Sequence, residues 1–174
     1  MNGPTTHTLF RIVATVAFAR AACLAETVPA QSANASPQFD QVRSLIGRWI
    51  GTSPDGARVS STFRLVGGGS AILQTLSGDG VDDSVTIIYV AGGELRADHY
   101  CHWKNHSLLV ANPSAYSGLI CFIAQGTHAE PRRTRYHEAL MLRFLDRDHH
   151  TQFWRAIDGN HNSRLVGTRF TRVP

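Results

Sequence analysis

Apolar residues fall in short runs along most of the chain, and turn-forming residues interrupt them at regular intervals. Residues 49–53, 58–66, 70–76, 85–90 and 94–101 read as five successive strands. Pro54-Asp55-Gly56, Gly67-Gly68-Gly69, Ser77-Gly78-Asp79-Gly80 and Ala91-Gly92-Gly93 lie between them. Shorter apolar runs follow at 108–111 and 118–124. Stronger ones come at 138–145, 150–157 and 164–172, separated by Asp146-Arg147-Asp148 and Asp158-Gly159-Asn160. Residues 125–136 are polar and read as loop. The total is about ten strands with hairpin-length connections, as in an antiparallel meander. No long helical pattern separates the strands, which excludes a parallel α/β sheet. Ahead of the first strand, Phe39, Val42, Leu45 and Ile46 recur at helical spacing and predict a short helix ending at Gly47. The fold class is therefore all-β: a single antiparallel up-and-down barrel of about ten strands with a short N-terminal helix. The helix has one apolar face and only the barrel to bury it against, so it is expected to cap one opening.

Period-two alternation assigns faces within the strands. Leu95, Ala97, His99 and Cys101 share a face that reads as inward, opposite Arg96, Asp98 and Tyr100. Leu140, Leu142 and Phe144 read as core, with Met141 and Arg143 opposite. Trp154 shares a face with Gln152. In residues 85–90 both faces are apolar or nearly so, and the pattern does not say whether Tyr89 points in or out.

The chain ahead of residue 39 has a different character. Residues 12–25 form an apolar segment too short to span a membrane, after an N-terminal stretch whose one cation is Arg11. Alanine-type cleavage sites fall after Ala25, Ala30 or Ala35. Residues 1–30 are expected to be a signal peptide, 31–38 a disordered spacer rich in Ala, Ser, Asn and Pro, and 39–174 the barrel domain. A lipid anchor at Cys23 fits poorly, because Arg20 stands where an aliphatic residue is wanted. The expected location is secreted or periplasmic. No later stretch is apolar enough to cross a bilayer as a helix, so the chain is read as not membrane-spanning.

The formal net charge is +4, and Lys104 is the single lysine. The one cationic cluster, Arg132-Arg133-x-Arg135, lies in the polar stretch and reads as a solvated loop. Nothing interleaves aromatic and basic residues as single-strand binders do, so no nucleic-acid partner is expected. With Cys23 in the leader, Cys101 and Cys121 remain as an even pair in an exported protein, a candidate disulfide. Two buried free thiols are the alternative.

Gly47-Arg48-Trp49-Ile50-Gly51 on the first strand and Val166-Gly167-Thr168-Arg169-Phe170 on the last resemble the closed base of small lipocalin-like (calycin) barrels. Gly68-Gly69-Ser70-Ala71-Ile72-Leu73, His99-Tyr100-Cys101 and Asp146-Arg147-Asp148-His149 before Gln152-Phe153-Trp154 extend the likeness. Together these pieces resemble a group of small secreted bacterial barrel proteins of unknown function within that superfamily. Asp98 before His99, and His102-Trp103-Lys104-Asn105 after Cys101, depart from that group's Thr and Gly-Asn-Gln type turn. The resemblance implies fold and export, and a base in which Trp49 plugs the barrel with Arg169 stacked on it. More distantly, the Gly-x-Trp-x-Gly strand is similar to haem-binding nitrobindin-like barrels. That implies a haem alternative with His161 as the late histidine ligand.

Catalytic signatures are absent from the sequence. No Gly-x-Ser-x-Gly elbow occurs, and Gly67-Gly68-Gly69-Ser70 lacks the strand-to-helix context of a phosphate loop. Asp82-Asp83 and the Asp146/Asp148 pair sit in turns. His99, Cys101, His102 and His106 are dense in metal-ligating atoms, but alternation sends His102 away from His99 and Cys101, so no metal site is expected. No cofactor is expected beyond the haem alternative. The leading expectation is an exported barrel that binds a small, largely apolar molecule, with His99, Tyr89, Gln152 and Trp154 as ligand-facing candidates. An enzyme on the same barrel (an isomerase or a haem-dependent catalyst) and a filled-core envelope protein stay open as alternatives. The state of the barrel interior separates the three.

Overall fold

The computed structural model describes residues 36–78, 81–112, 116–128 and 135–174. The expected leader and most of the spacer lie outside them, as do Arg132 and Arg133. The elements run α1 (Pro37–Arg43), β1 (Gly47–Thr52), β2 (Arg58–Val66), β3 (Ala71–Gly78), β4 (Val81–Ala91), β5 (Glu94–Cys101), β6 (Asn105–Asn112), β7 (Leu119–His128), β8 (Tyr136–Phe144), β9 (His149–Ile157) and β10 (Ser163–Arg172). Each strand pairs antiparallel with its sequence neighbours, and β1 pairs with β10 to close the barrel. Closure satisfies every sheet edge at once. The strand count and hairpin order are those the sequence predicts.

Four boundaries differ; β4 begins at Val81, so Asp82 and Asp83 lie in a strand and not in the expected turn, and the other three differ for physical reasons. Helix α1 starts within the expected spacer, because Ser36 caps it by accepting from the Phe39 N–H and Pro37 sits in the first turn. Strand β6 is twice the predicted length. Its first half carries inward polar residues that break the hydrophobic pattern: Ser107 Oγ donates to the His137 carbonyl at 2.8 Å, and Asn105 Nδ2 donates to the Arg135 carbonyl. Strand β7 continues through the polar residues to His128 because an irregularity at Gln125–Gly126 is absorbed as a shift of register against β6 and not as a turn.

The barrel interior is filled at one end and hollow at the other. At the α1 end, Phe39, Val42, Trp49, Phe63, Ile72, Leu95, Phe122, Leu142 and Phe170 are buried in one apolar cluster. Phe39 and Val42 have no exposure at all, so α1 does plug this opening. Burying each such side chain stabilises by about 1.5–3 kcal/mol. Trp49 Nε1 donates to the Leu45 carbonyl at 2.7 Å, which fastens the plug to β1.

The cation on Trp49 is Arg172, which corrects the expectation of Arg169. The Arg172 guanidinium carbon lies 4.1 Å from the centre of the indole ring. Its Nη1 and Nη2 donate to the carbonyls of Ile46 and Ser44, each at 2.8 Å, and Nε to that of Arg147 at 3.1 Å. Register explains the difference: Trp49 pairs with Arg172, whereas Arg169 pairs with Thr52 and is exposed. The two glycines flanking Trp49 are also explained. Gly47 has φ +132, and a Cβ there would meet Arg172 Nη1 at 2.9 Å. A Cβ on Gly51 would stand 2.6 Å from the Arg169 carbonyl oxygen across the closing seam.

The expected disulfide is not formed. Cys101 is paired in register with Asn105 and Cys121 with Asn112, at opposite ends of β6. An eight-residue strand separates them by about 23 Å along its length, far beyond the ~7 Å limit for bridging. Cys121 also alternates with the fully buried Ile120 and Phe122, so it faces outward while Cys101 faces in.

Candidate functional site

A belt of buried polar side chains lies above the apolar base. Gln74 Nε2 donates to Ser61 Oγ and to Gln152 Oε1, both at 3.0 Å. Gln152 Nε2 lies 3.2 Å from His150 Nε2, which accepts from it. His150 then stacks on Phe170, with ring centres 5.0 Å apart, and meets Trp49 edge-on at 4.4 Å. Burial pushes the His150 imidazole down to about 3, helped by the nearby Arg172 charge, so the ring is neutral. Gln152 is therefore spent in the belt. It points inward as alternation predicts, yet it lies among these partners and does not line the cavity above.

The cavity occupies the other half of the barrel, under the β1–β2, β5–β6 and β9–β10 connections, and has a volume of about 620 Å³. Its wall is mainly apolar, with Val59, Leu76, Trp154, Ile157 and Val166 contributing. Ten strands make a wider barrel than the eight whose interior side chains alone fill, which leaves this room. Trp154 and His99 line the cavity wall. Tyr89 does not: it alternates with the fully buried Ile88, lies on the outer face and donates its hydroxyl to Asp98 Oδ1 at 3.3 Å. His161 is exposed in the β9–β10 turn and is not part of the cavity wall, so the geometry does not bring it to a haem site there.

At the inner end of the cavity stands a histidine pair that strand alternation on β5 alone does not show. His99 Nδ1 is 2.9 Å from Thr86 Oγ1, and His99 Nε2 is 3.1 Å from His137 Nδ1. Trp154 packs on both rings, 4.2 Å from His99 and 4.7 Å from His137. Trp103 stacks on His137 at 4.7 Å, with Arg135 over its far side at 6.0 Å. Burial drives both imidazoles down, to about 2 for His99 and about 4 for His137. For each, the neighbouring histidines push the same way. Both rings are thus neutral, and each holds one proton. The chain Thr86–His99–His137 has two proton arrangements. In one, His99 Nε2–H donates to His137 Nδ1. In the other, His99 Nδ1–H donates to Thr86 and His137 Nδ1–H donates to His99 Nε2, which leaves a lone pair on His137 Nε2.

His137 is the residue the sequence reading missed. It is the second residue of β8, and a register shift between His137 and Ala139 puts it out of phase with the inward Leu140 and Leu142. Cys101 closes the constellation: His99, Cys101 and His137 each place a ligand atom within 4.8 Å of the others. The expectation that alternation turns His102 away from Cys101 is corrected: β5 ends at Cys101, and His102 Nδ1 lies 3.8 Å from Cys101 Sγ in the turn beyond it, while β8 supplies His137. Burial pushes the Cys101 thiol up. The carboxylates near the mouth serve turns: Asp158 accepts from the N–H groups of Asn160 and Asn162, each at 2.9 Å. No carboxylate contacts the histidine pair among the contacts of the described residues, so no acid–imidazole dyad of the hydrolytic kind is built there.

Comparison with known proteins yields a fold and no activity. No protein-family model matches the sequence, and no curated protein matches it significantly. Among solved structures, the chain is similar to a protein of unknown function of the DUF3598 family from Nostoc punctiforme, with TM-score 0.52 and 13% identity. The match covers 76% of this chain and 49% of that one, so this chain spans about half the length of its structural neighbour. The likeness is one of fold alone. Among the described residues, no helix is long and apolar enough to cross a membrane.

Proposed function

We propose that the protein is an exported lipocalin-like barrel that holds a small, largely apolar molecule in its upper half. The observation that carries this reading is the cavity of about 620 Å³, within the range of small-molecule sites. Apolar walls with a few convergent polar groups at the inner end are how such sites gain affinity and orientation. Here the apolar body of the ligand rests against Val59, Leu76, Ile157 and Val166, and its polar end meets His99 and His137. The neutral pair presents either a donor or an acceptor by moving its shared protons, so the ligand's polar group is an uncharged hydroxyl, carbonyl or amide. Export rests on the apolar segment at 12–25 and the small-residue cleavage sites that follow.

The filled-core alternative accounts for the α1 half of the barrel and not for the hollow half. For an enzymatic role, no carboxylate contacts the histidines among the described residues, and burial pushes up the Cys101 thiol beside them. Native mass spectrometry of protein purified from its own host tests the proposal directly. The expected result is a non-covalent adduct of a few hundred daltons that is absent from Ala156→Phe, a variant that projects a ring into the cavity. Mature protein with no adduct, which also fails to take up a hydrophobic fluorescent dye, would overturn the binding reading. An N-terminus at residue 1 in the host protein would overturn export.

A further inference from the structure

The geometry points to a zinc-class metal site formed by His99, Cys101 and His137. It shares His99 and His137 with the proposed ligand site, and metal alone tests it. The three ligand atoms come from two strands, β5 and β8, that are not adjacent in the barrel, and they converge within 4.8 Å of one another. Two nitrogens about 2.0–2.1 Å from a tetrahedral zinc lie about 3.3 Å apart. His99 Nε2 and His137 Nδ1 are 3.1 Å apart, close to that edge; ring rotations that aim both lone pairs at one point replace their hydrogen bond with the metal. Closing the sulfur edges by about 1 Å completes three corners of a tetrahedron.

The surroundings of each ligand are those a metal needs. His99 Nδ1 lies 2.9 Å from Thr86 Oγ1; donating there puts the ring proton on Nδ1 and the lone pair on Nε2. The Trp103 N–H donates to Cys101 Sγ at 3.5 Å, the kind of bond that supports negative charge on sulfur. The His137 ring is gripped between Trp103 and Trp154, and its backbone carbonyl accepts from Ser107. The short turn after Cys101, with Lys104 at φ 61, sets that Trp103 N–H over the sulfur. On binding, the Cys101 S–H proton leaves to solvent as the sulfur–metal bond forms. A set of two imidazoles and one thiolate suits a borderline-soft divalent ion such as Zn²⁺, and disfavours Mg²⁺ and Ca²⁺. Three protein ligands leave a fourth position open, as in sites that bind water or substrate. His99 and His137 line the cavity wall, so that position faces the cavity.

Cobalt(II) and zinc(II) alone, added to the reduced, metal-stripped full chain, test the site. One equivalent of Co²⁺ is expected to give a thiolate-to-cobalt charge-transfer band together with intense tetrahedral visible bands. Cys101→Ser should abolish the charge-transfer band, and Cys121→Ser should leave it intact. By calorimetry, Thr86→Val should weaken Zn²⁺ binding about 10–100-fold through the loss of the orienting hydrogen bond. His137→Gln should weaken it further, and neither change should affect Mg²⁺, which does not bind. A wild-type protein with no thiolate band, a band that survives Cys101→Ser, or a band that depends on Cys121 overturns the proposal. Unchanged zinc affinity in a cooperatively melting His137→Gln does the same. If that variant does not fold, the near-isosteric Cys101→Ser spectrum decides alone.

Discussion

The Arg172 guanidinium lies flat enough over Trp49 to sit 4.1 Å from its ring centre, while its nitrogens donate to the carbonyls of Ser44, Ile46 and Arg147. One side chain near the C-terminus thus ties together the end of α1, the start of β1 and the β8–β9 turn. It does so where the barrel closes.

Arg172→Ala is expected to lower stability by about 2–4 kcal/mol, the scale of a stacked cation plus charge-assisted hydrogen bonds. Arg172→Lys should recover only part, since a lysine cannot both stack and fork. Arg169→Ala, on an exposed side chain, should stay within about 0.5 kcal/mol of wild type. Urea unfolding of the three variants checks the ranking, and equal losses at 169 and 172 would refute it.

Gly51 faces the β10 backbone at the closing seam, with room for no Cβ. Gly51→Ala is expected to cost about 1–3 kcal/mol by forcing β1 and β10 apart. Gly56→Ala is a useful contrast, since nothing lies within 4 Å of a Cβ there and only its φ of +87 is strained. Melting temperatures should place Gly51→Ala clearly below Gly56→Ala.

His150 should make the protein acid-sensitive. Its folded pKa is about 3, against 6.5 for the exposed ring, because it is buried and Arg172 is near. Above pH 6.5 both states are neutral there and the group contributes no pH dependence. Between pH 6.5 and 3 the unfolded chain binds a proton that the native chain refuses, so stability falls as pH falls. The slope is about 1.4 kcal/mol per pH unit for this one group. His150→Gln, which can still accept from Gln152, should flatten the slope between pH 4 and 6 by that amount. Parallel stability–pH profiles for variant and wild type would contradict the assignment.

Cys101 and Cys121 should be free thiols in the folded protein. Alkylation after unfolding without reductant is expected to label both cysteines in peptide maps. A linked 101–121 peptide would contradict the register on either side of β6.

Much of the fold was readable from the sequence because its determinants are local. Alternation in residues 94–101 and 138–145, and Gly- or Asp-rich turns at hairpin spacing, act over a few residues and leave little choice of element. The inward set Leu95, Ala97, His99 and Cys101 follows from that period alone. So does the pairing of Trp154 with Gln152 on one face.

The site depended on register and barrel closure, which no local pattern states. Arg169 and Arg172 lie in the same strand, and only the pairing of Trp49 with Arg172 tells which one crosses the indole. Tyr89 and Ile88 are both apolar enough to face inward, and a one-residue choice exchanges their faces. The length of β6, hidden by its bonded inward Asn105 and Ser107, decides that Cys101 and Cys121 stand apart. His137 meets His99 only because β5 and β8 face each other across the barrel interior, 38 residues apart in the chain. The sequence by itself determined a closed antiparallel barrel plugged by Trp49 and a helix. The tertiary structure alone decided which half stays hollow and which histidines share it, since that depends on side chains from distant strands meeting across the interior.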